Sequence, residues 1–306
     1  MSSKAESTQK MYKYAFNSWC KWTNSHSFTS LPASQLHVSL YLIKLSDSAR
    51  SVSKIDEAYY AISWAHKLSG YPDPCKTDLV VSVREGIHRR IGHSVIKKDP
   101  ITPEILQKIV QNFGSISNTL KDLRIACMCL ISYAGFLRFS ELACLRRSDI
   151  HFFPDYVKLF LVQSKTDVYR EGKDVVIAKT NSSTCPVSML DRYLKLAKIP
   201  DHSSEYIFRS VSFCKSNNSY KLRNTGHISY TRAREILLAA LEGIGLDKSK
   251  FGLHSLRSGG ATAAAAAGLE DRLFKKHGRW KTDKAKDGYV MENIDQRLSV
   301  TKNLGL

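Results

Sequence analysis

A short stretch near the carboxyl end of the chain contains side chains that could act together on a phosphodiester. His254, Arg257, Trp280 and Tyr289 all fall within HSLRSGGATAAAAAGLEDRLFKKHGRWKTDKAKDGYV. A phosphodiester is anionic, and arginine suits its nonbridging oxygens because the guanidinium stays charged and offers a fork of donors. A side-chain oxygen can form a covalent intermediate with phosphorus. The stretch therefore holds candidates for anion binding and for nucleophilic attack.

The spacing of these residues gives each one a possible role. Arg257 follows His254 by three residues, so both would project from nearly the same face of a helix and could flank one oxygen. Trp280 lies in polar surroundings, HGRWKTDK, where its ring N–H could donate to a phosphate oxygen. His277 is a second candidate for that position. H-x-x-R by itself is a weak motif that often occurs by chance.

Tyr289 is the candidate nucleophile. Its flanking sequence, KTDKAKDGYV, is basic and would favour formation of an oxyanion. Taken alone, a tyrosine in a helix near the carboxyl end is more often half-buried packing. Its position relative to the other candidates is what favours a catalytic role.

Three more candidates lie upstream. Arg138, in AGFLRFSELACL, follows an apolar helix, and Glu141 one turn later could either orient it or cap the next helix. A surface cation near a helix start is the other interpretation of Arg138. Lys165, in LVQSKTD, falls in the turn of a predicted hairpin. A lysine at a loop tip is usually just solvated, but a mobile tip could also deliver a proton to a leaving alkoxide.

The composition indicates a polyanionic partner. The chain has 306 residues, enough for two domains, and its 46 Lys and Arg against 28 Asp and Glu give a formal charge of +18. Nucleic acid is favoured over membrane because no apolar run approaches the roughly 20 residues that a spanning helix needs. The start, MSSKAESTQKMYKY, has no apolar secretory core, so an intracellular location is expected, the nucleus in a eukaryote.

Cysteine and histidine usage indicates neither disulfides nor metal. The seven cysteines are irregularly spaced, and C-x-x-C does not occur. Reduced, buried thiols are expected, with Cys127, Cys129 and Cys144 in apolar stretches. The ten histidines form neither H-E-x-x-H nor a finger-like pattern, and the chain lacks a GxxxxGK[ST] phosphate loop. We therefore expect no metal and no other cofactor.

Hydrophobic periodicity predicts a helical domain over residues 1–95. Residues 8 to about 93 should form four short helices, the second carrying Leu36, Leu40, Ile43 and neighbouring residues on its apolar face. In the fourth helix, several cations lie off the apolar stripe: Arg84, His88, Arg89 and Arg90. That face could lie along a DNA duplex, and an ordinary solvated helix face explains it equally well.

A basic linker, residues 96–103, precedes a second domain over residues 104–306. Lys97 and Lys98 could lie across DNA, although a plain connector fits the linker equally well. Thr102 and Pro103 have the side chains of a helix start. Further helices are predicted over residues 120–134, 186–197 and 230–242, with three more between 254 and 289. Between them, YVKLFLVQ and DVVIAKT alternate like two antiparallel strands.

In combination these pieces resemble the tyrosine recombinase (phage integrase) superfamily. AGFLRFSELACL is similar to the family's first arginine box, LVQSKTD to its hairpin lysine, HSLRSGGAT to its H-x-x-R box, and GRW to the element nine residues before the nucleophile. The family more often has histidine where this chain has Trp280. The GRW wording resembles recombinases of eukaryotic mobile elements.

The resemblance implies a fold and a mechanism. The fold is mainly α with a small antiparallel sheet (α+β): a helical core-binding domain and a mixed α/β catalytic domain that close on double-stranded DNA as a C-shaped clamp. Tyr289 would form a 3′-phosphotyrosyl link, Lys165 would protonate the 5′-oxygen, and Arg138 with Arg257 would hold the phosphate, while His254 and Trp280 complete the pocket. Strand exchange implies a homodimer or tetramer on DNA.

Other interpretations stay open at this stage. A type IB topoisomerase would have nearly the same pocket, and a domesticated, noncatalytic DNA-binding protein could keep the fold. The apolar edge of the tail could dock on a neighbouring protomer or fold back on its own domain; it comprises Met291, Ile294, Leu298 and Val300.

Overall fold

Helices make up most of the computed structural model, which describes residues 4–93, 96–117, 119–162, 172–224, 226–292 and 294–305, without the side chains of residues 295 and 296. The chain divides into two compact units, Met1–Ile96 and Lys97–Leu306. None of the described helices is long and apolar enough to cross a membrane.

The first unit contains the four predicted helices: α1 (Glu6–Ser25), α2 (Gln35–Ser48), α3 (Ser53–Ser69) and α4 (Asp78–Ile91). Its core includes Trp19, Leu42 and Ile62, all fully buried. The predicted face of α2 is wrong: Leu36, Leu40 and Ile43 are exposed, and Val38, Tyr41 and Leu42 are buried instead. Because α2 is apolar on both of these stripes, only packing against its neighbours decides which one faces inward.

The first residues of the second unit form backbone hydrogen bonds with residues 250 and 255 of the same unit. The Asp99 N–H donates to the Lys250 carbonyl at 2.8 Å, and the Ile101 N–H donates to the Ser255 carbonyl at 2.9 Å. Thr102 then caps α5 (Pro103–Phe113), its hydroxyl accepting from the Ile105 N–H as the sequence predicts.

Helix α6 (Leu120–Ala134) is the centre of the second unit's core. Eleven of its fifteen residues are buried, among them Arg124, because apolar side chains lie on most of its circumference. It contacts α5, α8 (Pro186–Leu196), α9 (Tyr230–Gly243) and α10 (His254–Ala266). Cys127 and Cys129 are buried in it as predicted, whereas Cys144 is exposed just after α7 (Phe139–Ala143).

The predicted strand pair forms the larger sheet. Strands β2 (Tyr156–Leu161) and β3 (Lys173–Ala178) pair antiparallel, and a short β1 (Ile150–Phe152) adds to the β2 edge. A second hairpin, β4 (Val211–Cys214) with β5 (Ser219–Leu222), is absent from the sequence prediction because its strands carry little buried alternation. The mainly α architecture with small antiparallel sheets is confirmed.

Three short helices follow α10 in the described part of the chain. Helices α11 (Asp271–Gly278) and α12 (Asp283–Asp287) follow α10, and α13 (Ile294–Lys302) closes the chain. On α13 the predicted apolar edge is exposed at Ile294, Leu298 and Val300.

Candidate active site

The junction between α6 and α7 positions Arg138. Gly135 ends α6, and Phe136 takes a left-handed backbone, φ 45°, which turns the chain sharply. Arg138 is then the residue before α7, and Glu141 accepts from it twice, from its backbone N–H at 2.9 Å and from its Nη1 at 2.8 Å. Glu141 therefore caps the helix and orients the guanidinium at once, so both sequence interpretations of this acid hold.

Helix α10 brings Arg257 against that junction. Two glycines allow the close approach: a Cβ on Gly260 would lie 2.3 Å from the Tyr133 carbonyl oxygen, and one on Gly259 would lie 2.0 Å from the Ile101 carbonyl oxygen. Arg257 is consequently fully buried, whereas His254, the first residue of the helix, is exposed. Spacing predicted one shared face, but the two side chains lie in different environments.

Arg257 links three segments through its guanidinium. Its Nη1 donates to the Phe136 carbonyl, and its Nη2 donates to the Gly278 carbonyl at 2.7 Å. The guanidinium carbon lies 4.8 Å from the centre of the Trp280 ring and 4.7 Å from that of Tyr289. Burial, together with the nearby Arg138 and Arg279, lowers the pKa of Arg257 to about 10.

Trp280 fills the space beside this cation. The indole packs on Phe136, Phe274 and Tyr289, and only 6% of the residue is exposed. Its Nε1–H is buried and has no hydrogen-bond partner among the described residues. Such groups are uncommon in folded proteins, and they mark places where a ligand can supply the acceptor. The geometry is consistent with the predicted role of this N–H.

Tyr289 completes the cluster but lies outside a helix. Helix α12 ends at Asp287, and the Tyr289 N–H donates to the Lys286 carbonyl at 2.9 Å in the turn that follows. The expectation of a tyrosine within a helix is therefore wrong, because α12 is only five residues long and ends before Gly288. The phenol ring is half-buried, with its centre 6.5 Å from that of His254.

His277 lies beside the cluster, against the same Phe136 ring that packs on Trp280. Its Nε2 bonds the Ala134 carbonyl at 2.7 Å, at the carboxyl end of α6, and its ring packs edge-on against Phe136. Burial lowers the pKa of His277, and the cations of Arg279 and Arg257 lower it further. A neutral histidine that bonds a backbone carbonyl acts as packing support, and Trp280 rather than His277 lies against Tyr289.

The sequence reasoning missed Arg279. Only 3% of this residue is exposed to solvent, and its Nη2 donates to Glu141 Oε2 at 2.8 Å. The motif GRW was noted, but nothing in the pattern distinguishes its arginine from an exposed one. Burial raises the pKa of Glu141, but Arg279 and then Arg138 and Arg257 outweigh that effect, and the net pKa is lowered.

Of the predicted residues, the structure brings together Arg138, Glu141, Arg257, Trp280 and Tyr289, with His254 at the edge. Lys165 lies outside the described residues. Within the described residues, no group of three or more histidine, cysteine or acidic side chains could hold a metal ion.

The candidate DNA-binding cations differ in how far they are already engaged. Arg84 donates to Asp56 at 2.6 Å and lies over Tyr59, so it stabilises the packing of α4 on α3. The Arg89 side chain is 83% exposed, and its ion pair with Glu85 is long, at 3.8 Å.

The other three candidates also have partners. Arg90 donates to the Ser46 hydroxyl and lies 3.5 Å from Asp47. Lys97 donates to the Gly288 carbonyl at 3.2 Å, and Lys98 donates to the Ser249 carbonyl. Both lysines thus contact backbone close to the candidate active site or to the start of α10.

Comparison with known proteins identifies the class to which this fold and site belong. Residues 101–294 match the phage integrase family. The Integrase/recombinase xerD homolog of Selenomonas ruminantium is 30% identical over 292 residues, which cover 94% of this chain and 82% of that protein. The chain belongs to the phage integrase family of tyrosine site-specific recombinases.

Solved structures share the fold. The XerH site-specific recombinase bound to a palindromic difH substrate matches with a TM-score of 0.63 and 13% identity, over 97% of this chain and 79% of that one. A lambda integrase dimer bound to a core site matches with a TM-score of 0.59 and 16% identity, over 96% and 73%. The resemblance read from the sequence motifs is confirmed.

Proposed function

We propose that this protein cuts and rejoins double-stranded DNA at specific sites through a 3′-phosphotyrosyl intermediate. The observation that carries the proposal is the convergence of Arg138, Arg257, Trp280 and Tyr289, which come from three separate segments of the chain. Three cations, Arg138, Arg257 and Arg279, surround one carboxylate, Glu141. The site therefore keeps an excess of positive charge where a phosphate would bind.

Each group has a chemical role in the proposed step. The Tyr289 phenol releases its proton to solvent while its oxygen attacks phosphorus, and a P–O bond forms as the bond to the 5′-oxygen breaks. Arg138 and Arg257 hold the nonbridging oxygens, and the Trp280 N–H and His254 complete the pocket. Lys165 protonates the departing 5′-oxygen. Attack by the 5′-hydroxyl of another strand reverses the chemistry with a new partner and regenerates the phenol.

The same proposal covers partners and location. Solved relatives include XerH bound to a difH substrate and a lambda integrase dimer bound to a core site. We infer that this chain likewise binds duplex DNA, as a dimer that pairs into a tetramer, because exchange of strands between two duplexes needs several active sites. Its compartment would be the one that holds the DNA, inside the cell and in the nucleus of a eukaryote. The helical first unit would be the core-binding domain.

The first experiment is to trap the covalent complex. The protein is incubated with genomic DNA of its host, the reaction is stopped with SDS, and the DNA ends attached to protein are sequenced. We expect an SDS-resistant adduct at a defined site for the wild type and none for Tyr289→Phe, which loses only a hydroxyl and should keep DNA affinity. Tyr156→Phe on β2 is the matched control and should form the adduct normally.

The outcomes separate the alternatives. An adduct that persists in Tyr289→Phe would assign the nucleophile to another residue. DNA binding without any adduct in the wild type would identify a noncatalytic DNA-binding protein. Two duplexes carrying the mapped site then distinguish a recombinase, which yields joint products, from a topoisomerase, which only relaxes supercoils.

A further inference from the structure

Arg279 occupies a position that arginine does not ordinarily adopt. It follows α11 with φ 56°, in the left-handed region that favours glycine, and it is almost fully buried. Both the left-handed backbone conformation and the loss of guanidinium hydration are unfavourable. Contacts elsewhere must offset both costs, so the partners of this side chain indicate what it does.

Its two terminal nitrogens make four hydrogen bonds to the protein. Nη1 donates to the Gly135 carbonyl at 3.1 Å and to the His277 carbonyl at 2.8 Å. Nη2 donates to the Phe136 carbonyl at 2.8 Å and to Glu141 Oε2 at 2.8 Å. These bonds hold the loop before Arg138 against the loop before Trp280, and they direct the side chain toward protein groups.

The charges explain why a third arginine is needed. The Glu141 side chain is fully buried and already accepts a hydrogen bond from Arg138. Arg257 Nη1 lies 3.8 Å from Glu141 Oε2. A buried carboxylate without sufficient partners strongly attracts the nearest cation. Arg138 is already bonded to Oε1, so without Arg279 the next cation to approach Oε2 would be Arg257, which would move toward Glu141 and away from a bound phosphate.

We propose that Arg279 is a positioning residue that serves as the main counter-ion of Glu141 and thereby leaves Arg138 and Arg257 available for the phosphate. The proposal rests on the proposed function, and it goes beyond it by assigning a role to a residue that does not contact the reacting atoms. Arg279 and Arg257 also share the Phe136 carbonyl, so the two guanidinium groups are fixed relative to each other.

The test uses full-length protein and a duplex that carries the mapped cleavage site with a nick beside it. Arg279→Gly removes the guanidinium and suits the left-handed backbone. We expect covalent complex formation to slow by roughly a hundredfold, the size of effect seen when one fixed donor is lost from an active site. The DNA dissociation constant should stay within about threefold of wild type, since Arg279 is buried and its terminal nitrogens bond protein groups.

Two further measurements separate positioning from mere structural support. Added guanidinium ions at millimolar concentration should partly restore the rate of Arg279→Gly, whereas equal sodium chloride should not. Glu141→Gln in the Arg279→Gly background should cleave faster than Arg279→Gly alone, because the unbalanced carboxylate is gone. A purely structural role predicts no rescue and losses that add or worsen in the double variant.

Controls keep the outcome interpretable. Arg272→Gly, on the exposed face of α11, should cleave at the wild-type rate. Should Arg279→Gly fail to fold, Arg279→Lys decides, since it keeps a charge opposite Glu141 but cannot make four bonds; we expect a rate reduced by roughly tenfold.

A wild-type rate in Arg279→Gly, or in Arg279→Lys where that variant decides, would overturn the role of Arg279. So would an unrescued Arg279→Gly whose double variant is slower still. A wild type without a Tyr289-dependent adduct would instead overturn the proposed function.

Discussion

The guanidinium of Arg257 lies over the phenol ring of Tyr289, with 4.7 Å between the guanidinium carbon and the ring centre. The same guanidinium donates to the carbonyls of Phe136 and Gly278, so its place is fixed by two loops as well as by α10. The candidate phosphate ligand and the candidate nucleophile are therefore in direct contact, and a change in one should alter the position of the other.

Replacing this arginine by lysine should remove most cleavage. In Arg257→Lys the charge remains, but a single ammonium cannot bond both carbonyls and also present a planar fork to phosphate. We expect covalent complex formation to fall by about a hundredfold or more, with DNA binding nearly unchanged. Gel quantification of the SDS-resistant adduct gives the rate. Arg272→Lys is the matched control, and near-normal cleavage by Arg257→Lys would remove Arg257 from the pocket.

Two substitutions of Trp280 should separate its packing from its N–H. Trp280→Phe keeps an aromatic ring and removes a buried donor without a described partner, so the melting temperature should fall far less than in Trp280→Ala. Its cleavage rate should still fall, by roughly tenfold, if the N–H bonds the phosphate in the transition state. Trp280→Ala should instead lower the free energy of unfolding by about 3–5 kcal/mol. Equal cleavage by Trp280→Phe and wild type would exclude a role for the N–H.

A single methyl group on α10 should destabilise the second unit. In Gly259→Ala the new Cβ would lie 2.0 Å from the Ile101 carbonyl oxygen, which is backbone and cannot move aside cheaply. We expect a loss of about 1–3 kcal/mol in the free energy of unfolding. Thermal and urea denaturation would measure it. Gly252→Ala has no neighbour within 4 Å of the added Cβ and should be close to neutral; equal stability of the two variants would contradict the packing.

His277 should make stability depend on pH in the mildly acidic range. Burial lowers its pKa in the folded protein, so protonation is easier in the unfolded chain, where the pKa is about 6.5. Below about pH 6.5 the unfolded chain binds more protons than the folded protein. The free energy of unfolding therefore decreases as the pH falls from about 6.5 toward the lowered pKa of folded His277.

His277→Gln supplies the comparison. Its amide can still donate to the Ala134 carbonyl but does not titrate, so its melting temperature should fall less between pH 7 and pH 5 than that of the wild type. Glu141 contributes in a separate range, since its lowered pKa affects stability only in more acidic solution. Identical pH profiles for the two proteins would show that His277 is not the titrating group.

Sequence patterns predicted most of the helices because they depend on local periodicity. The bounds of α6 and the Thr102 cap of α5 follow directly from residue types and spacing. The inward face of α2 did not follow, because its residues support two apolar stripes and packing against α1, α3 and α4 determines which stripe is buried. The β4–β5 hairpin was missed for a related reason, since its strands bury few side chains.

The sequence by itself determined which chemical groups this protein has and their order along the chain, and these were enough to indicate the family. Only the tertiary structure decided that Arg257 is buried while His254 is exposed, and that Arg279 is bonded to Glu141. The reason is physical: residue type and local spacing specify helices and caps, whereas burial and ion pairing depend on segments that are more than a hundred residues apart. A left-handed backbone at an arginine likewise becomes visible only once the surrounding loops hold it there.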